Sequence, residues 1–547
     1  MNDPEQHFDL IIRNGQIYDG GGGAPFVADI AVRDDSIARI GLLDEAVAGD
    51  VIDAAGMAVA PGFINMLSHS YISILQDPRS LGELKQGVTL QVFGEGNSMG
   101  PLTDEMQRRM QEGIDAEMPV EITWRSLAEY LRHAEKRGIS QNIASYIGAT
   151  TLRIYAVGQD NRPPTEAELD LMRGLVRDEM AAGALGIGSS LIYPPAFFAS
   201  TEELIELCRA AAPYGGKYIS HMRSESTRLI EAVEELMRIS DEAGVPAEIY
   251  HLKAADPVNW DKMDRVIEMI DAARARAAPI TADMYTYTAG ATGLSNAIPP
   301  WHHDGGPRAL LSRLEDPAVR ARIRREIEGD ADDHWENLYG RCGGPDHVLI
   351  LDVRKPENRV FQGKTLAQCA EMLRLDPIDT MIELVRRDRS RIGTAYFMMS
   401  EDNVRKEVRL PWVAFGSDSP SIAAEGAFLN RSTHPRAYGN FARLLGHYVR
   451  DEQLVSLAEA IRRLTSFPAV NLGLDRRGRL AEGYYADIVI FDAMTIADRA
   501  TYAQPHQYAV GVRDVVVNGA VTLRDGEFTG RLAGRAVYGP GAAGSRR

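Results

Sequence analysis

The 547-residue chain is predicted to be an α/β protein, a (β/α)8 TIM barrel carrying a small β-sandwich domain built from its two ends. Three observations predict this. Across residues 61–479, apolar strand-like runs alternate with long amphipathic helical patterns, the mark of parallel β-α units. Roughly eight such units fit a closed barrel better than an open sheet. The two ends, residues 1–60 and 480–547, read as β structure and share the same turn signals, so they are expected to pair into one composite domain. The length itself exceeds what one hydrophobic core supports, which also calls for more than one unit.

Taken in order, FDLIIRNGQIYDG sets apolar stretches around an Asn-Gly turn, and ADIAVRDDSIARIG repeats the pattern with Asp-Asp at the bend. Pro61-Gly62 marks the boundary. The strand-like runs that follow include VTLQVFG, NIASYIG, ALGIGSS, KYISHM, AEIYHL, ITADMY, VLILDV and WVAFGSD. Helical segments such as TEELIELCRAAAPYG and STRLIEAVEELMRISDEAG lie between them. Residues 296–346 are rich in Arg, Asp, Glu, Pro and Trp and break this rhythm, so a partly helical, lid-like insertion over the barrel mouth is expected there. GYYADIVIFD and GVRDVVVNGAVTLRDGEFTG then return to β character, with a second Asn-Gly turn at Asn518-Gly519.

Composition narrows the function. An apolar content of 45% with 25% charged residues is ordinary for a globular protein. No apolar window reaches the roughly 18 residues of a transmembrane helix, and MNDPEQHFDL has neither the basic leader nor the apolar core of a signal peptide. A formal charge of −17 argues against a nucleic-acid partner, since phosphate binding needs a basic face. Cys208, Cys342 and Cys369 lie far apart with no CxxC pair, the pattern of buried thiols in a reducing compartment. A cytoplasmic protein acting on a small molecule is therefore expected, with no membrane partner; assembly as a homo-oligomer is compatible with the sequence.

Reactive groups of a (β/α)8 barrel sit at the C-terminal ends of its strands. Five polar residues directly end apolar runs: His69, Glu95, His221, His251 and Asp418. A single histidine after a strand is more often a hydrogen-bonded structural residue than a ligand, and Asp418 alone would read as part of a Gly-Ser-Asp-Ser turn. Five at successive strand ends point instead to a metal, because His, His and a carboxylate form a common catalytic zinc set when one position stays open for water.

These motifs carry a resemblance. LIIRNGQIYDGGG, APGFI, LKQGVT, ISHMRSE, IYHLK, ADMYTYTAGATGL, FGSDSP, HPRAYGNFARLLGHYVR and LTSFPAVNLGLDRRGRLAEGYYADIVIFD occur in order along nearly the whole chain. In these stretches the chain resembles the N-acyl-D-amino-acid deacylases (D-aminoacylases) of the amidohydrolase superfamily. The resemblance implies a barrel of the amidohydrolase type and hydrolysis of the linear amide bond of N-acyl-D-amino acids, or of related amides bearing a carboxylate. By the same resemblance, His221 and His251 hold a tight zinc. Asp418 takes a proton from the metal-activated water and passes it to the leaving amine, a role that suits a carboxylate beside an acidified water. Arg223, Lys253, Tyr285 and Arg436 fall where the family binds the substrate carboxylate or polarises its carbonyl. Read without the resemblance, Arg436 would be a surface ion pair, Arg223 and Lys253 strand-end salt bridges, and Tyr285 a packed aromatic.

Three positions depart from the family pattern. The His-x-His that opens such barrels is Leu67-Ser68-His69 here, and a leucine cannot ligate; one zinc ion per chain is therefore expected, with His69 left to bind substrate or to support the site. The cysteine ligand of a Gly-Asn-Cys-Gly turn falls on Gly96, so the adjacent Glu95 is expected to supply the third ligand, a change that softens the preference for zinc over harder ions; the alternative is that two histidines and water hold the metal weakly, with Glu95 behind them. Ala149 stands where relatives often carry histidine, which bears on substrate preference. Two other readings compete: a hydrolase of the same fold acting on a cyclic amide, dipeptide or lactone, and a catalytically inactive, metal-free relative.

Overall fold

The computed structural model describes residues 7–329 and 334–542. The first six residues read for a leader, residues 330–333 of the expected lid and the last five residues lie outside the described part.

Eight parallel strands form the barrel. They are β1 (Phe63–Asn65), β2 (Val88–Phe93), β3 (Asn142–Ser145, continued by Ile147–Gly148), β4 (Gly186–Ser190), β5 (Lys217–His221), β6 (Ala247–Ile249), β7 (Ile280–Met284) and β8 (Val413–Phe415). Each pairs with the next in parallel register. The ring closes where Met66 N donates to Phe415 O at 3.1 Å and Asp418 N donates to Leu67 O at 2.9 Å. Parallel strands are covered on both faces, which is why a run such as Val88–Phe93 is buried at every residue. Ile64, Leu90, Val92, Ala144, Tyr146, Ile219, Tyr250 and Ala414 fill the interior of the ring. Some of the helices between strands start on side-chain caps; Ser126 with Glu129 and Thr165 with Glu168 form reciprocal capping boxes.

One strand assignment is corrected. Val348–Asp352, from the run VLILDV, is not a barrel strand; it lies in a three-stranded antiparallel sheet with Ala289–Gly293 and Gly393–Phe397. The first barrel strand is instead the short Phe63–Asn65. An apolar run of five residues reads the same in either sheet, so hydrophobicity alone could not separate them. The excursion between β7 and β8 is accordingly larger than residues 296–346. It holds this sheet, the helices Pro307–Arg313, Pro317–Glu328, Leu366–Leu373 and Pro377–Asp388, and its own core of Leu294, Leu314, Ile323, Phe361, Met381 and Tyr396.

The two ends of the chain meet in one nine-stranded sheet, where Ile488–Phe491 pairs antiparallel with both Ala58–Pro61 and Val512–Val517. His7–Ile17 forks this sheet: its first half runs parallel to Val47–Asp53, whereas Gln16 and Ile17 pair with Ala58 and Val59. Among the described residues no helix is long and apolar enough to cross a membrane, and Cys208, Cys342 and Cys369 are all buried free thiols.

Candidate metal centre

The strand ends bring five predicted residues into one cluster. His221 ends β5, His251 follows β6, Glu95 follows β2, His69 follows β1 and Asp418 follows β8. His221 Nδ1 lies 3.0 Å from His251 Nε2, and Glu95 Oε1 lies 3.1 Å from each of them. The three atoms thus form a nearly equilateral triangle. A zinc ion with ligands at about 2.0–2.1 Å in tetrahedral geometry needs donor atoms roughly 3.3 Å apart, so this triangle fits a small divalent cation. Two imidazole nitrogens and a carboxylate are also the donor chemistry such an ion takes. Both histidines are buried.

Glu95 has a second face. Its Oε2 lies 3.2 Å from His69 Nε2, which in turn lies 2.9 Å from Asp418 Oδ1. Glu95, His69 and Asp418 therefore make a second donor set that shares one carboxylate with the first. Burial would raise the Glu95 carboxyl, but His221, His251 and His69 overcome it and hold Glu95 well below the usual carboxylate range. The same opposition acts on His69: burial lowers it, yet Asp418 and Glu95 push it up to about 10. Asp418 is depressed by Arg436 and His69 against its own burial, so it stays an ionised carboxylate.

Local backbone explains how these side chains reach one point. His251 (φ 36°) and Asp418 (φ 46°) both adopt the left-handed region, which costs a non-glycine residue about 1–3 kcal/mol and is held only by its surroundings. His251 N donates to Asp283 Oδ1 at 2.8 Å and Asp418 N to Leu67 O, fixing both turns. Gly96, beside Glu95, has no room for a side chain of its own. Its φ is +66°, and a β-carbon there would stand 2.6 Å from Ser190 Oγ and 2.8 Å from Ser190 Cβ. Leu67 is fully buried among Met66, Tyr146 and Tyr250 and offers the cluster only its backbone.

Of the expected substrate-binding residues, the structure brings four to the cluster. Lys253 Nζ lies 2.6 Å from His251 Nδ1 and donates to Glu225 Oε1 at 2.6 Å. Tyr285 is buried between two cations, Lys253 at 5.6 Å and Arg436 at 4.5 Å from its ring centre. Arg436 is buried and pairs with Asp418 Oδ2 at 2.8 Å, so it is no surface ion pair. His69 is the half-buried member. Arg223 differs in its partners: its guanidinium is engaged by Glu235 at 2.9 Å and by the carbonyls of Phe197 and Ala199. Ala149 is buried at the start of the helix Ala149–Ala156, beside Thr150, whose amide donates to Gly96 O.

Sequence reasoning missed three contributors. Tyr193 packs at a tilt against His221 with ring centres 5.1 Å apart. His434 Nδ1 accepts from the Arg436 amide and its Nε2–H donates to Ala289 O, which fixes the turn that carries Arg436. Glu225 faces the far nitrogens of both clustered histidines. Glu225 lies four residues after His221 in ISHMRSE, but that spacing says nothing before β6 is placed beside β5.

Known proteins resemble this chain along nearly its whole length. The profile of the amidohydrolase family matches residues 50–523. A D-aminoacylase of Alcaligenes xylosoxydans xylosoxydans is 34% identical over 533 residues, covering 97% of this chain and 98% of the relative. The N-acyl-D-glutamate deacylase of Bordetella bronchiseptica, solved with zinc and a phosphonate mimic of the tetrahedral intermediate, superposes with a TM-score of 0.79 at 29% identity, over 97% of this chain and 100% of that one. A D-aminoacylase structure, described as having a binuclear centre activated by one metal and attenuated by the second, gives a TM-score of 0.80 at 32% identity with the same coverage.

Proposed function

The chain belongs to the amidohydrolase family, and from that premise we propose that it is a metal-dependent hydrolase cleaving the amide bond of N-acyl-D-amino acids or related amides that bear a carboxylate. The single observation that carries this reading is the triangle of His221 Nδ1, His251 Nε2 and Glu95 Oε1, with edges of 3.0–3.1 Å, joined through Glu95 and His69 to the ionised Asp418. His221, His251 and Glu95 would hold the ion. When bound, it supplies a Lewis acid that acidifies a water and draws charge from the scissile carbonyl. Asp418 Oδ1 accepts the proton from the attacking water and returns it to the leaving amine. His69, on the same carboxylate oxygen, orients it.

The carboxylate of the substrate has a partner in Arg436. Its Nε is buried without a hydrogen bond, and its guanidinium lies over the Tyr285 ring. A buried donor left unmade costs about 1–3 kcal/mol, which a substrate carboxylate would recover. Lys253 and Tyr285 complete that wall. Zinc is the metal of the Bordetella deacylase. For this chain we propose one tightly held ion, with the set of His69, Glu95 and Asp418 a weaker second position, because Leu67 withholds a donor there. Residues 1–60 with 480–547 are taken as one domain around the barrel of residues 61–479, and three buried free thiols accord with a cytoplasmic enzyme.

The test is a screen of N-acetyl, N-formyl and N-succinyl D- and L-amino acids with zinc-loaded protein, read beside its metal content. Turnover of one D-series with about one equivalent of zinc supports the reading. A protein that takes up no metal under any loading condition would be the inactive relative instead.

A further inference from the structure

Each histidine of the triangle turns one nitrogen to the shared point, and its other nitrogen faces the same side chain. His251 Nδ1 lies 3.1 Å from Glu225 Oε1, and His221 Nε2 lies 3.7 Å from Glu225 Oε2. His221 Nε2 is buried with no hydrogen bond in place, and Glu225 Oε2 is the carboxylate oxygen that faces it. Glu225 is buried and clamped in turn. Lys253 Nζ donates to its Oε1 at 2.6 Å, and its own carbonyl accepts from Ala255 N at 2.7 Å. Its amide donates to Glu336 Oε1 at 2.8 Å, and Glu336 Oε2 accepts from the hydroxyl of Ser226 at 2.5 Å. Glu336 belongs to the excursion between β7 and β8, so that excursion grips the loop behind β5.

We propose that Glu225 is a positioning residue that sets the proton of both clustered histidines on the nitrogen away from the metal, and that Glu336 holds it there from the excursion. The inference rests on the reading of His221 and His251 as metal ligands. An imidazole ligates through a nitrogen that carries no proton, so the opposite nitrogen must carry one and needs an acceptor. His251 makes the requirement acute. Its Nδ1 is also 2.6 Å from Lys253 Nζ, and a hydrogen bond accepted there from Lys253 would need a bare Nδ1, which puts the ring proton on Nε2 and makes it unfit to ligate. A carboxylate between them accepts from Lys253 and from His251 at once, and its other oxygen serves His221. No neutral side chain does this. A glutamine at 225 offers one oxygen and one NH2, so one of the two histidines would always face a donor.

The experiment uses the full chain. Zinc affinity is measured by competition with a chromogenic chelator, the ligand field by the visible spectrum of the cobalt-substituted protein, and folding by the melting temperature of the metal-free protein. Glu225→Gln is expected to weaken zinc binding about 10–100-fold and to alter the cobalt spectrum, while the metal-free melting temperature stays near wild type. Glu336→Gln is expected to weaken zinc about threefold. Wild-type zinc affinity and an unchanged cobalt spectrum in a folded Glu225→Gln protein would overturn the proposal. Should that variant not fold, unchanged zinc affinity in Glu336→Gln would overturn it. A wild-type protein that binds neither metal sinks the reading of the site itself, whereas metal-binding wild type with indifferent variants sinks this inference alone.

Discussion

Glu95 belongs to two donor sets, and they are built differently. On one side, His221 and His251 are buried, their donor atoms sit within 3.1 Å of each other, and their far nitrogens face an anchored carboxylate. On the other, the His69 side chain is 30% exposed, and its single Nε2 serves both Glu95 and Asp418. Asp418 is further shared with Arg436. The first set is shaped to grip and the second to exchange partners. Burial with backed-up ligands fixes an ion; an ionised carboxylate beside a partly exposed histidine can receive and release a proton.

The sharpest way to break this contrast is to strip each side in turn. His251→Ala should abolish tight zinc binding and lower turnover on the order of 10⁴-fold, as measured by metal analysis after dialysis and by initial rates. Asp418→Asn should lower kcat on the order of 10³-fold while the tightly bound zinc remains. If Asp418→Asn lost its metal instead, or kept wild-type rates, the division of labour between the sets would be wrong.

The exchanging side also stands on a buried acid. Glu83 Oε1 accepts from Asn65 Nδ2 at 2.7 Å and from Ser417 Oγ at 3.0 Å, beneath the turns that carry Leu67 and Asp418. Burial pushes Glu83 up to about 7, despite these hydrogen bonds. An acid raised in the folded state binds its proton where the unfolded chain has already released it. Its contribution is therefore fully favourable below about pH 4.5 and is lost progressively as pH rises towards 7, by about 3 kcal/mol in total. Denaturant melts at pH 4.5 and 7.5 should show this loss in wild type relative to Glu83→Gln, which has no proton to lose. Parallel curves for the two proteins would refute it.

Two smaller effects sharpen the comparison. Leu67→His would give the weaker set a further nitrogen and should tighten a second zinc about tenfold, as seen by calorimetric titration. Arg223→Gln should change KM less than twofold and cost about 1–2 kcal/mol of stability, since the side chain is tied to Glu235 and two carbonyls. A large rise in KM would return Arg223 to the substrate.

The sequence carried the barrel because strand-end polar residues follow from a simple alternation, and His221, His251, Glu95, His69 and Asp418 were all legible that way. It did not reveal which apolar runs share a sheet. Val348–Asp352 and Phe63–Asn65 differ in topology, and topology is a matter of long-range pairing. Arg223 and Glu225 show the same limit at the site. They lie two residues apart, yet one turns to a helix and the other to both histidines, a choice made by Glu235 and Glu336 from distant segments.

The tight contact between Gly96 and Ser190 reaches beyond geometry. It leaves no room for a thiol-bearing side chain beside Glu95, and Cys208, Cys342 and Cys369 lie buried as free thiols outside the donor sets. An alkylating reagent that caps cysteines thus meets no thiol in the two donor sets, which among the described residues are built of imidazoles and carboxylates.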